Sequence, residues 1–222
     1  MTKTFTLALL GLTALLHAEG PGTRLSDSAT VLSEMMDSPD KGVPRDLLEK
    51  AECVVVVPGL KKGAFIVGAK YGRGYISCRA ESGWSAPAGV MVEGGSLGFQ
   101  IGGQETDAIL LVMNKGGAKK LLSSKFTLGG DASVAAGPVG RTTDAATDLQ
   151  MHAEILTYSR ARGVFAGLSL EGATLRPDKD SNRELYHDDR TNQEIVFGDT
   201  KVPEPAEVLL ASLRRISPVR QK

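Results

Sequence analysis

Between Cys53 and Asn114 short apolar runs alternate with glycine-rich breaks. That spacing predicts strand after strand, with no room for a crossover helix between runs. Val54-Val55-Val56-Val57 is β-branched, poor for a helix and suited to a buried strand. Pro58-Gly59 reads as its end, residues 63–71 as a second strand, Gly72-Arg73-Gly74 as a turn and residues 75–79 as a third strand. Residues 90–93, 97–101 and 107–113 read as further strands. Upstream, residues 24–36 have helical spacing, with Leu25, Ala29, Leu32 and Met36 on one face. Pro44 opens a second short helix over 45–52. Downstream, residues 115–124 fit a short helix, and the small-residue segment 128–140 reads as a strand with other chain passing close by. Residues 147–161 and 163–175 read as a long antiparallel pair, 178–190 as a charged loop and 204–216 as a closing helix. The fold class expected is α+β: a strongly bent antiparallel sheet or partial β-barrel with short N- and C-terminal helices.

The first eighteen residues change the picture. Lys3, the apolar run from Phe5 to Leu16 and the small Ala18 follow the order of a secretory signal. A buried N-terminal helix is the competing reading. The expectation is a signal over 1–18, then one domain over 19–222 with a core of about 25–200, exported to the periplasm or cell envelope. Lys plus Arg and Asp plus Glu are 26 each, a balance that argues against sequence-blind nucleic-acid binding. Cys53 and Cys78 form an even pair, and an exported chain favours their bridging as a disulfide.

No catalytic constellation emerges. Gly94-Gly95-Ser96-Leu97-Gly98 matches the G-x-S-x-G of a hydrolase elbow, but that motif needs a helix after the serine, and Phe99 to Gln104 reads as strand. His152 and His187 lack the neighbours of a triad or a metal site, so neither a metal nor a cofactor is expected. The run from Asp178 to Glu184 has oxygen side chains at alternate positions, as in a calcium loop. It carries Arg183 where that loop requires glycine. Basic residues are the remaining candidates. Lys61 and Lys62 fall in an expected hairpin turn, Lys70 and Arg73 flank the next, and Lys119 and Lys120 ride the short helix beside Lys115 and Lys125. Sharing one rim, they would attract anions; otherwise they are ordinary solvated surface.

Several long motifs, in order, resemble the SYLF domain family. They are Pro58-Gly-Leu-Lys-Lys-Gly-Ala-Phe-Ile-Val-Gly68, Gly83-Trp-Ser-Ala-Pro87, Gly95-Ser-Leu-Gly-Phe-Gln-Ile-Gly-Gly-Gln104 with Asp107, the segment from Gly129 to Arg141, and the segment from Tyr158 to Gly172. The resemblance spans roughly residues 25–200. It implies lipid binding without catalysis. Eukaryotic members bind phosphoinositide membranes, and some bind or bundle actin; bacterial members are exported. Joined to the signal, it implies an exported bacterial SYLF protein: a phospholipid-binding module in the envelope, meeting headgroups through Lys61, Lys62, Lys70, Arg73, Lys119 and Lys120. The choice of those residues rests on charge and turn placement. The alternatives are a structural or adaptor module for another envelope protein and, at the margin, a serine hydrolase.

Overall fold

The computed structural model describes residues 19–36, 42–64, 67–81, 83–97, 102–123, 125–139, 152–161, 164–167 and 170–218. Its centre is four long strands: β1 (Cys53–Ala64), β2 (Val67–Ala80), β4 (Ala88–Leu97) and β5 (Gly102–Val112). They lie in the order β4-β2-β1-β5, all antiparallel, and the sheet continues through short strands on both sides. Beyond β4 come β10 (Thr174–Pro177) and β6 (Phe126–Thr127); beyond β5 come β8 (Ile155–Ala161) and β7 (Val134–Ala136). β3 (Gly83–Trp84) pairs with β2 and β9 (Val164–Gly167) with β8. Only β7 and β8 run parallel among these pairs. The result is an α+β fold, a strongly curled half-barrel of antiparallel sheet flanked by short helices.

The sheet is buried on both faces, and the valine run shows why. Val55 and Val57 enter one core with Leu60, Ile76, Val92 and Leu110. Val54 and Val56 enter the other with Tyr75, Ile109, Leu111 and Tyr158. A strand with both faces covered reads as continuous apolar sequence rather than as alternation. Helices α3 (Lys115–Ser123) and α5 (Asn192–Phe197) bring Leu121, Leu122, Ile195 and Val196 to the first core. The second is closed by α1 (Pro21–Met36), α2 (Arg45–Lys50) and α6 (Glu207–Ile216). Arg79 ties these layers together. Its guanidinium stacks 4.1 Å from the Trp84 ring and donates to the carbonyls of Leu48, Ser217 and Pro218. Helix-end carbonyls lack partners within their own helix, so one planar cation satisfies α2 and the end of α6 at once. β1 and β2 are also joined covalently: Cys53 and Cys78 stand directly opposite, Cα atoms 3.9 Å apart, with their sulfurs bonded.

Four expectations need correction. Pro58-Gly59 does not end a strand. β1 runs through it, and the pairing with both neighbours shifts by one residue there, from Val56↔Tyr75 to Lys61↔Tyr71. This is a β-bulge, the place where a strand tolerates proline. Gly72-Arg73-Gly74 is not a turn either, but lies inside β2. A side-chain carbon on Gly74 would sit 1.9 Å from the Val56 carbonyl oxygen, and one on Gly72 would sit 2.7 Å from Val57 Cγ1. These glycines permit close approach to the bulge. Residues 178–190, read as loop, form α4 (Lys179–Tyr186) and its exit. Asp178 caps that helix, accepting from the Ser181 amide. Of the long pair expected over 147–175, β8 and β9 are antiparallel as drawn, but β10 crosses to the opposite side of the sheet and pairs with β4. Much of 97–101 and of 140–151 lies outside the described residues.

The glycine argument has a direct test. Gly74→Ala should lose about 3 kcal/mol in urea unfolding, because the bulge backbone must move. Gly63→Ala, where an added carbon meets nothing within 4 Å, should stay within about 0.5 kcal/mol of the parent. Equal losses at the two positions would refute close approach as the reason for Gly74.

Candidate functional site

The bulge sets where the basic residues point. Lys61 and Lys62 lie within β1, not in a turn. Past the bulge, Lys62 stands directly opposite Lys70, and Lys61 opposite Tyr71. The next positions outward in the Lys62–Lys70 row are Gln104 on β5 and Gly94 on β4. Two cations therefore stand side by side on one sheet face, with a glycine as a flank. Burial first, and then the facing Lys70, draw the Lys62 ammonium below its usual range. On the opposite face Tyr71 is 45% exposed.

Lys61 belongs to the other face, toward α1. It lines a polar cleft of about 280 Å³ with Glu19, Asp27, Asp107 and Arg160. Asp107 accepts from the Gly59 amide at 3.0 Å, inside the bulge, and from Arg160 Nε at 2.7 Å. Arg160 also pairs with Glu34 of α1. Glu19 is pushed above the usual carboxylate range, first by its hydrogen bond with the Asp27 carboxyl and then by burial. The cleft is thus largely occupied by its own ion pairs, which hold α1 to the bulge.

Arg73 leaves the basic set altogether. Its Nε and Nη2 both lie 2.7 Å from the carboxylate oxygens of Asp178, whose side chain is 1% exposed. Burial pushes Asp178 up, but the hydrogen bonds from Arg73 and Ser181 outweigh it and hold the carboxyl below its ordinary value. This pair fastens the start of α4 to β2. Lys119 and Lys120 sit elsewhere again. They ride α3, which follows the end of β5 where Val112 pairs with Cys53. Lys61 is eight residues along β1 from Cys53, on the order of 25 Å away. Lys120 donates to the Asp131 carbonyl at 3.0 Å. The six predicted residues therefore do not share one rim. Lys62 and Lys70 come together; the others are divided among a cleft, an ion pair and a distant helix.

Among the described residues nothing supports the hydrolase alternative. Ser96 lies on β4 opposite Gly68, and the next described residues open β5, not a helix. His152 is exposed beside the start of β8, at the opposite end of the sheet, and His187 ends α4 in a left-handed conformation. Among the described residues no three His, Cys, Asp or Glu side chains are grouped to hold a metal. Helices α4 and α5 were missed by pattern reading, yet a signal was present. Thr191 and Glu194 form a reciprocal capping box at the start of α5, and T-x-x-E before Ile195 and Val196 is readable in the chain.

A family model described as "Ysc84: Las17-binding protein actin regulator" matches residues 93–216. The SH3 domain-containing YSC84-like protein 1 of Homo sapiens is 37% identical over 176 residues, covering 78% of this chain and 51% of that protein. The protein of the same name from Rattus norvegicus is 37% identical over 174 residues, covering 77% and 50%. Protein YSC84 of Saccharomyces cerevisiae is 33% identical over 178 residues, covering 78% and 38%. The chain spans about half the length of the mammalian relatives it matches. These relatives are eukaryotic; the mammalian names speak of SH3 domains, and the family description speaks of actin regulation. They overturn the expected kinship with exported bacterial proteins, and with it the envelope lipid module, the envelope-protein partner and the periplasmic or secreted location. The export reading rested on a charged, apolar, small order that is not unique to secretion, over residues that lie outside those described.

The fate of Arg73 can be measured. Arg73→Ala should cost about 2–3 kcal/mol at neutral pH, less than a fully buried pair because Arg73 is a quarter exposed. Asp178 is depressed in the folded state, so its contribution is present above the ordinary carboxylate pKa and is lost as pH falls through the lowered one. The parent should therefore lose more stability than Arg73→Ala between roughly pH 5 and pH 2. An unchanged unfolding midpoint and unchanged acid profile in Arg73→Ala would show that the pair is not structural.

Proposed function

The chain belongs to the Ysc84 family, described as Las17-binding actin regulators, and on that premise we propose that it is a non-catalytic binding module in actin regulation that docks on anionic phospholipid. The observation that carries the lipid half is the Lys62–Lys70 pair. Like charges directly opposite on a sheet oppose folding, and an anion laid across them relieves the repulsion. The pair stands beside a glycine on the half of the four long strands beyond the bulge, where both lysines are half-exposed. Net charge is balanced across the chain, so attraction to an anionic surface must come from local rows such as this one. Each cation near such a surface contributes about 1 kcal/mol.

The actin half rests on the family description and on relatives whose names join YSC84 to SH3 domains. The family description speaks of binding and regulation.

Sedimentation with phosphatidylserine-containing and pure phosphatidylcholine vesicles tests the docking surface. The parent should pellet with the anionic vesicles and release them as salt rises. The Lys62→Ala, Lys70→Ala double variant should bind roughly thirtyfold more weakly, two cations at about 1 kcal/mol each. Lys119→Ala with Lys120→Ala should bind like the parent. Equal binding to both vesicle types, or equal loss from the two double variants, would remove this reading. Co-sedimentation with actin filaments, with and without vesicles, tests the other half separately.

A further inference from the structure

A second cavity, sharing no lining residue with the lysine row, lies between α3, α4 and α5, with a volume of about 370 Å³. Its character differs from that of the α1 cleft. Two asparagines line it, Asn182 at 2% and Asn192 at 1% exposure. They form a fixed chain of amides. The Gly89 amide donates to Asn182 Oδ1 at 2.6 Å, Asn182 Nδ2 to Asn192 Oδ1 at 2.7 Å, and Asn192 Nδ2 to the Gly89 carbonyl at 2.9 Å. An asparagine nitrogen carries two N–H groups, and each of these bonds uses one, so both residues keep a donor beyond this chain. Burying two amides costs stability unless they are held, and here the β4 backbone holds them in place.

The rest of the lining supplies charge and a small apolar wall. Lys179, Arg183 and Arg190 lie around the cavity, with Leu122 and Pro177 beside them. Asp189 also lines it and pairs with Arg183 at 2.8 Å, while Arg190 pairs with Asp188 at 2.7 Å. Both members of the Arg183–Asp189 pair are more than half exposed, so that pair is weak and an incoming anion can displace it. Three cations at the edge match a phosphate group. Fixed amides on the floor match hydroxyls, which both donate and accept. The volume is that of a small organic molecule rather than a bare ion.

We propose that this cavity binds a small phosphorylated sugar-sized molecule, its phosphate at Lys179, Arg183 and Arg190 and its hydroxyls at Asn182 and Asn192. The site is separate from the Lys62–Lys70 surface and does not depend on it. Isothermal titration calorimetry of the full chain at low salt, with ribose 5-phosphate as probe, is the test. Saturable binding is expected, with inorganic phosphate at least tenfold weaker and ribose silent. Lys179→Ala and Arg190→Ala should each weaken binding at least fivefold. Asp189→Asn should tighten it severalfold, because it removes the competing carboxylate while leaving both asparagines in place. The Lys62→Ala, Lys70→Ala variant should bind ribose 5-phosphate like the parent, which separates this site from vesicle docking. No heat with ribose 5-phosphate, inorganic phosphate binding as tightly as the sugar phosphate, or affinity unmoved by all three cavity variants would each overturn the proposal.

Discussion

The structure turns on a single extra residue in β1. Up to Val57 the central strand is hydrogen-bonded on both sides and covered on both faces, and every side chain enters one core or the other. At Pro58-Gly59 the register slips by one. A slip of one residue exchanges the two faces of a strand. Val57 and Leu60 consequently face the same core although they are three positions apart. Beyond that point Lys62 stands opposite Lys70; without the extra residue it would stand opposite Ala69. The pairing of the two cations is a product of the bulge, and so is the placement of Lys61 on the α1 side.

The bulge makes demands on its neighbours. β2 must approach closely, which leaves no space for a side chain at Gly72 or Gly74. Gly59 takes a left-handed conformation, and its amide needs a partner, which Asp107 supplies. Asp107 in turn is held by Arg160, and Arg160 by Glu34 of α1. A local irregularity in one strand is thereby fixed to a helix on the covering layer. The same economy appears where Arg79 gathers carbonyls from α2 and the end of α6 onto the Trp84 face, and where Arg73 pins Asp178 and with it the start of α4. Arginine suits such positions because its planar fork reaches several acceptors without losing its charge.

Pattern reading went wrong where local chemistry has two meanings. Glycine with proline marks a turn in most strand-rich sequences, but it also marks a bulge, and Pro58-Gly59 is the second case. Arg73 between two glycines looked like an exposed turn cation. Only the fold brings Asp178, a hundred residues later, against it. The segment 178–190 looked like loop because its charge hides a weak helical period; Asp178, and Thr191 just beyond it, were the better signal as capping residues. The apolar opening of the chain resembled an export signal, and the relatives speak for a different setting.

The sequence by itself determined the α+β class, the strand-rich centre and the first and last helices, because these depend on side-chain periodicity. The tertiary structure decided which cations meet. Strand register, the handedness of the slip at Pro58-Gly59 and the crossing of β10 to the far side of the sheet depend on contacts between residues distant in the chain. Such contacts leave no periodic trace in any one segment, so two lysines eight positions apart become neighbours only when the sheet closes around the bulge.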